Sequence, residues 1–223
     1  MGIYYFPCEF VFWDICSDHE ELKGRIMNRI HLLENIHKNN TIGLEKAYTS
    51  FNTNNPKENK FLINPKIIEP VIHAPFRKML DEYNSRKNTN KITVDGIHIS
   101  NAWYTKYHEG GTFNLHNHRD ASVTIDGKRY DAAFSVIYIL NDENEKNSTE
   151  FFLPDMCTTS AVMHRDCTFK TGNVPGIKEG SVIIFPSSLY HRVVPSIKPG
   201  RVTIAYNLLC SFQPEIFVKL EDS

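Results

Sequence analysis

The run ASVTIDGKRYDAAFSVIYIL, residues 121–140, holds the reading on which the fold turns. Asp126-Gly127 lies between two segments rich in β-branched and aromatic residues, and this dipeptide tolerates the positive φ angles of a tight hairpin turn. Working outward, KITVDGIHIS (91–100), NAWYTKY (101–107) and TFNLHNH (112–118) precede it, and SVIIFP (181–186), RVVPSI (192–197) and RVTIAYNLL (201–209) follow it. Each is a short strand-like run bounded by Gly, Pro, Asn or Asp. Many short strands with little helix between them predict an antiparallel sandwich or barrel, not a sheet of βαβ units.

Before about residue 90 the pattern differs. Ser17 and Glu20 have capping-box spacing, and Leu22, Ile26, Ile30 and Leu33 recur at helical intervals, so residues 18–38 are expected as one amphipathic helix. TSFNTNNPKENKF (49–61) reads as an exposed loop. Pro70 and Pro75 predict only short helical pieces within 66–84. No repeat and no long linker divides the 223 residues, so one mainly β, α+β domain is expected, with a helical support region over 1–90 and a β core over 91–212.

With 41% hydrophobic residues the chain has material for a proper core, which excludes disordered and collagen-like readings. Lys and Arg (25) nearly balance Asp and Glu (26), leaving a net charge of -1 and no long basic run, so there is no strong signal for nucleic acid. The apolar opening MGIYYFPCEFVFWDIC lacks a basic flank and contains Pro7, Glu9 and Asp14, unlike an export signal, and no window has transmembrane length. The five cysteines are odd in number, scattered and free of CxxC pairs. A cytoplasmic protein with no membrane partner is expected; composition leaves the oligomeric state open.

Among ten histidines, arrangement separates ligands from bystanders. His19, His31, His37, His73, His98, His108 and His164 are isolated and expected to be structural or solvated. His116 and His118 are two apart, so on a strand they project from one face and can offer two imidazoles to one metal ion, and Asp120 extends the same row. His191 follows the apolar run that Gly180 and Pro186 bound, and Arg201 comes ten residues later. Three protein ligands leave coordination positions open for substrate or oxygen, and a guanidinium facing the same pocket suits a carboxylate.

The order of these elements resembles the iron(II) and 2-oxoglutarate-dependent dioxygenases in their prolyl-hydroxylase-like branch. The residues that carry the resemblance are Tyr107, Gly110-Gly111 and His116-Asn117-His118, then Tyr138-Ile-Leu-Asn141-Asp142, Ser148-Thr149-Glu150-Phe151, and finally Gly180, Phe185, His191 and Arg201. Tyr5-Phe6-Pro7, Trp103 and the His-x-His pair resemble more narrowly a bacterial and phage group of that superfamily, which would put the protein in a host's cytoplasm if phage-encoded.

The resemblance implies a double-stranded β-helix (jelly roll), Fe(II) and 2-oxoglutarate as cofactors, and hydroxylation of a small-molecule or peptide substrate with release of succinate and CO2. It assigns His116, His118 and His191 to iron, Arg201 to the distal carboxylate of 2-oxoglutarate, Thr203 to the same carboxylate, and Tyr107 to the pocket lining. His118 stands where the family usually has a carboxylate, and a second register would pair His118 with Asp120 in place of His116. Two other classes fit parts of the pattern: a cupin-type metal enzyme that does not use 2-oxoglutarate, and a non-catalytic jelly-roll binding protein. The stretch 143–175 is long enough to form a lid or specificity element.

Overall fold

In the computed structural model, residues 10–36, 47–50, 65–86, 91–118, 122–142, 148–152 and 168–212 are described. Eleven strands and two helices are found there: β1 (Phe12–Ile15), α1 (His19–Ile36), β2 (Ala47–Thr49), α2 (Pro65–Ser85), β3 (Val94–Tyr107), β4 (Phe113–His116), β5 (Ser122–Ile125), β6 (Lys128–Asn141), β7 (Thr149–Phe152), β8 (Thr168–Lys170), β9 (Ser181–Pro186), β10 (Tyr190–Val193) and β11 (Arg201–Phe212). The pairings are antiparallel throughout. The larger sheet runs β1-β9-β6-β11-β3-β2, with β5 joined to β6, and the smaller runs β4-β10-β7-β8.

The Asp126-Gly127 hairpin forms as expected: φ is 50° at Asp126 and 75° at Gly127, a pair that only a turn of this hand requires. It sends β6 up the middle of the larger sheet, where both faces are covered from Phe134 to Leu140, and that stretch is accordingly apolar but for Ser135. Phe134, Val136, Tyr138 and Leu140 face the helices together with Val202, Ile204, Tyr206 and Leu208 of β11. Ile137 and Ile139 face the other way, against Phe151 of the smaller sheet, Ile183 and Phe185. The alternation leaves the inner side of β11 to Arg201, Thr203, Ala205 and Asn207.

Helix α1 buries Leu22, Ile26 and Ile30 on one face, and burial of each such side chain contributes about 1.5–3 kcal/mol. Its first turn is fixed to the sheet by His19, whose Nδ1 lies 2.6 Å from the Tyr138 hydroxyl. Gly180 makes room for that ring: its φ is +84°, and a Cβ there would meet the imidazole at 3.1 Å. The expectation of broken pieces over 66–84 is corrected, since α2 is one 21-residue helix with Pro70 and Pro75 inside it. Each proline forfeits one backbone hydrogen bond, but Ile68, Val71, Ile72, Phe76 and Met79 bury a continuous face against the sheet and outweigh that loss.

Three other expectations change. KITVDGIHIS and NAWYTKY are one 14-residue strand, β3. The first ninety residues supply strands β1 and β2 to the larger sheet as well as helices. Within 143–175, β7 and β8 pair with each other, so this stretch contains sheet in addition to loop. Residues 143–147, 153–167, Asp120, most of the 49–61 loop and the Tyr5-Phe6-Pro7 motif lie outside the described residues.

Candidate metal centre

The two sheets enclose a pocket, and three imidazoles meet at its floor. His191 on β10 is the direct cross-strand partner of His116 on β4, with ring centroids 4.2 Å apart. His118 follows the end of β4, its backbone N–H donating to the Ser187 carbonyl at 2.9 Å. One ligand nitrogen from each of His116, His118 and His191 lies within 4.8 Å of the others. Trp103, Tyr107, Phe113, Thr149, Phe185 and Thr203 are among the other residues that line the cavity.

Hydrogen bonding orients all three rings the same way. Nδ1 lies 2.6 Å from the Asn114 carbonyl in His116, 2.6 Å from Asn207 Oδ1 in His118 and 3.2 Å from the Leu189 carbonyl in His191. Acceptors at every Nδ1 leave Nε2 as the free nitrogen, which is how metal-binding imidazoles are held. Burial pushes all three below the ordinary histidine range: His118 to about 4, where the like charge of His116 adds to the effect and the Asn207 bond opposes it, and His191 well down. The rings are therefore neutral at physiological pH, the state in which imidazole binds metal. Packing against Phe185 and Phe151, at centroid distances of 4.8 and 5.9 Å, fixes the plane of His191.

Beyond the triad, Arg201 is fully buried, 1% exposed. Its Nη2 donates to Thr149 Oγ1 at 3.3 Å, its guanidinium lies 5.4 Å from the Tyr107 ring centre, and its Nε is 3.8 Å from the Asp142 carboxylate. Nε and Nη1 have no hydrogen-bond partner among the described residues. A buried cation with unspent donors is suited to a carboxylate delivered by a ligand. Burial raises the Tyr107 phenol above its ordinary value; the nearby Arg201 charge and bonds with Thr203 and Thr105 work the other way. The donor set and the guanidinium thus fit Fe(II) and a dicarboxylate together. When bound, that pair supplies the oxygen activation, and the chain's own groups hold, orient and desolvate it.

Of the residues singled out in the sequence, His116, His118, His191, Thr203 and Tyr107 come together at the cavity, with Arg201 behind Thr149 and Tyr107. Asn207 and Ser135 were not among them, and Thr149 was noted only as part of the Ser148–Phe151 segment. Asn207 and Thr203 share a face of β11 with Arg201, so strict alternation from the arginine reaches the position, although nothing in the sequence marks its partner. A second group, His19, Glu20 and Glu179, also has ligand atoms within 4.8 Å of one another. There the cation's place beside Glu179 is taken by the Lys23 ammonium.

The sandwich is a jelly roll, and its three-imidazole floor is a candidate metal centre. Residues 101–207 match the family described as "Putative 2OG-Fe(II) oxygenase", and the chain belongs to the 2OG-Fe(II) oxygenase superfamily. It is an oxidoreductase that uses Fe(II) and 2-oxoglutarate. The cupin and non-catalytic alternatives give way to that match. Among solved structures, HygX from Streptomyces hygroscopicus with nickel and 2-oxoglutarate bound superposes with a TM-score of 0.55 at 10% identity, covering 92% of this chain and 84% of that one. The same enzyme with hygromycin B also bound gives 0.52 at 10% identity, covering 92% and 83%. The viral collagen prolyl hydroxylase of Paramecium bursaria Chlorella virus-1, as its 2-oxoglutarate complex, gives 0.51 at 14% identity, covering 92% and 100%. At these identities the likeness is one of fold. No curated protein matches in sequence.

Proposed function

We propose that this oxygenase hydroxylates its substrate at an iron held by His116, His118 and His191, with Arg201 and Thr203 receiving the distal carboxylate of 2-oxoglutarate and Tyr107 walling the pocket. The observation that carries the reading is the convergence of three neutral imidazoles, one nitrogen of each within 4.8 Å of the others, in a pocket whose wall residues Thr149 and Tyr107 are backed by a buried arginine with two unspent donors. Among the described residues the cavity lining contains no Asp, Glu or Lys, which supports a substrate, small molecule or peptide, whose reacting part is uncharged. Residues 1–223 act as one catalytic domain, the helices of its first part bracing the sheet that carries Arg201. Free, buried Cys16 and Cys210 support a reducing, cytoplasmic setting, the host's if the gene is phage-borne.

Anaerobic addition of Fe(II) and 2-oxoglutarate is expected to give the weak visible absorption of their chelate, and aerobic turnover to give succinate. His191→Ala should lose metal, since only two imidazoles remain. Arg201→Ala should keep metal and lose 2-oxoglutarate binding, as removal of one partner from a buried charged pair costs about 2–5 kcal/mol. Wild-type metal content in His191→Ala would overturn the ligand assignment.

A further inference from the structure

We infer that Asn207 is a positioning residue for His118: its side-chain carbonyl holds the proton of that ring on Nδ1 and so keeps Nε2 as a lone-pair donor to the metal. The inference rests on the reading of His118 as a ligand. It concerns the ligand that departs from the family's usual carboxylate, and it explains how a neutral ring is made to serve in that place.

Asn207 Oδ1 lies 2.6 Å from His118 Nδ1, and Ser135 Oγ donates to the same oxygen at 2.9 Å. Ser135 Oγ is also 3.2 Å from His118 Nδ1 and 3.0 Å from Ser187 Oγ. Ser135 and Ser187 are 1% exposed and Asn207 is 8% exposed, so bulk water does not arbitrate among these groups. The network is anchored in the sheet, because Asn207 of β11 is the register partner of Ser135 of β6, and His118 N–H is bonded to the Ser187 carbonyl.

Of the two hydroxyls only that of Ser135 reaches the ring, and because a hydroxyl can donate or accept it imposes no tautomer by itself. An amide carbonyl only accepts, and its contact at 2.6 Å requires the proton on Nδ1. The reverse orientation of the amide would set its NH2 against Nδ1. The proton would then sit on Nε2, among the ligand nitrogens of His116 and His191, and the site would lose its third lone pair. His116 and His191 use backbone carbonyls for the same purpose, and those cannot flip. His118 alone depends on a side chain, which makes Asn207 the replaceable element of the second layer.

The test uses the full chain. In the metal-free protein, two-bond 15N–13C correlations of labelled histidine should report the Nδ1–H tautomer for His118 in the wild type. Asn207→Ala should give a mixture of tautomers, because only the Ser135 hydroxyl remains, and should weaken binding of Co(II), used as the probe metal, by about 10–100-fold. Asn207→Asp restores an acceptor oxygen and should recover the Nδ1–H form and at least wild-type Co(II) affinity. Observation of the Nε2–H tautomer in the wild type, which needs no variant to fold, would overturn the inference. So would an unchanged tautomer and unchanged Co(II) affinity in Asn207→Ala. Failure of the ligand reading itself is distinguishable, because then His118→Ala would leave Co(II) binding untouched.

Discussion

His118 illustrates how a single side chain ties stability to acidity. An imidazole whose folded-state value lies below 6.5 takes up its proton more readily in the unfolded chain. Between about pH 6.5 and 4 the unfolded state therefore binds more protons, and stability, full above that window, falls as the pH is lowered through it. His118 alone accounts for on the order of 3 kcal/mol, and His116 and His191 act in the same direction. Glu150 and Glu179 act at lower pH: burial would raise them, but Lys170 and Arg192 on one, and Lys23, the Asp142 N–H and His19 on the other, hold both below the ordinary carboxylate value of 4.5. The urea midpoint of the metal-free protein is expected to be flat above pH 6.5 and to decline toward pH 4.5, and His118→Gln should flatten part of the decline. A midpoint constant between pH 6.5 and 4.5 would refute the burial argument. The histidines themselves were legible in the sequence because alternation on a strand and a fixed offset to Arg201 are local patterns. Asn207 was not, since its meaning comes from Ser135 and His118, each far away in the chain.

Among the elements, α2 offers the sharpest check. Pro70 is exposed and lies in the second turn, where it supplies no N–H to the helical ladder and its ring crowds the backbone of the preceding turn. Pro70→Ala should raise stability by about 2 kcal/mol, the helix-interior penalty of proline less the entropy that proline removes from the unfolded chain. A thermal midpoint equal to or below that of the wild type would argue against a continuous helix. The pattern misled here because local propensity competes with tertiary burial, and the apolar stripe from Ile68 to Met79 wins. A similar override unites the two runs that form β3. The polar Ser100-Asn101 pair looks like a strand end, yet it falls at an irregularity in the ladder, between the pairs Ala102 with Tyr206 and Ile99 with Leu208. A bulge absorbs it and the strand continues. The smallest strands, β2 and β8, have three residues each and exist only by pairing with longer neighbours, so no window of sequence could have announced them.

At the scale of the whole molecule, the larger sheet separates a helical layer from the pocket, and one line of charged groups spans the two. The Lys23 ammonium of α1 is bonded to Glu179, Glu179 Oε2 accepts the Asp142 N–H at 2.8 Å, and the Asp142 carboxylate stands 3.8 Å from Arg201. Glu179→Gln weakens the first two contacts without touching the cavity, and it is expected to loosen 2-oxoglutarate binding to the metal-loaded enzyme about five-fold, as read by calorimetric titration. Unchanged affinity would show that the contacts beneath Arg201 act independently of Glu179. The line of charges has a thermodynamic corollary. Coupling free energies are symmetric, so the factor by which the Lys23 clamp strengthens cosubstrate binding is also the factor by which bound cosubstrate suppresses local opening of the α1 attachment. Amide hydrogen exchange at the first turn of α1, on the far face of the sheet, thereby becomes an occupancy gauge for a pocket that it never touches.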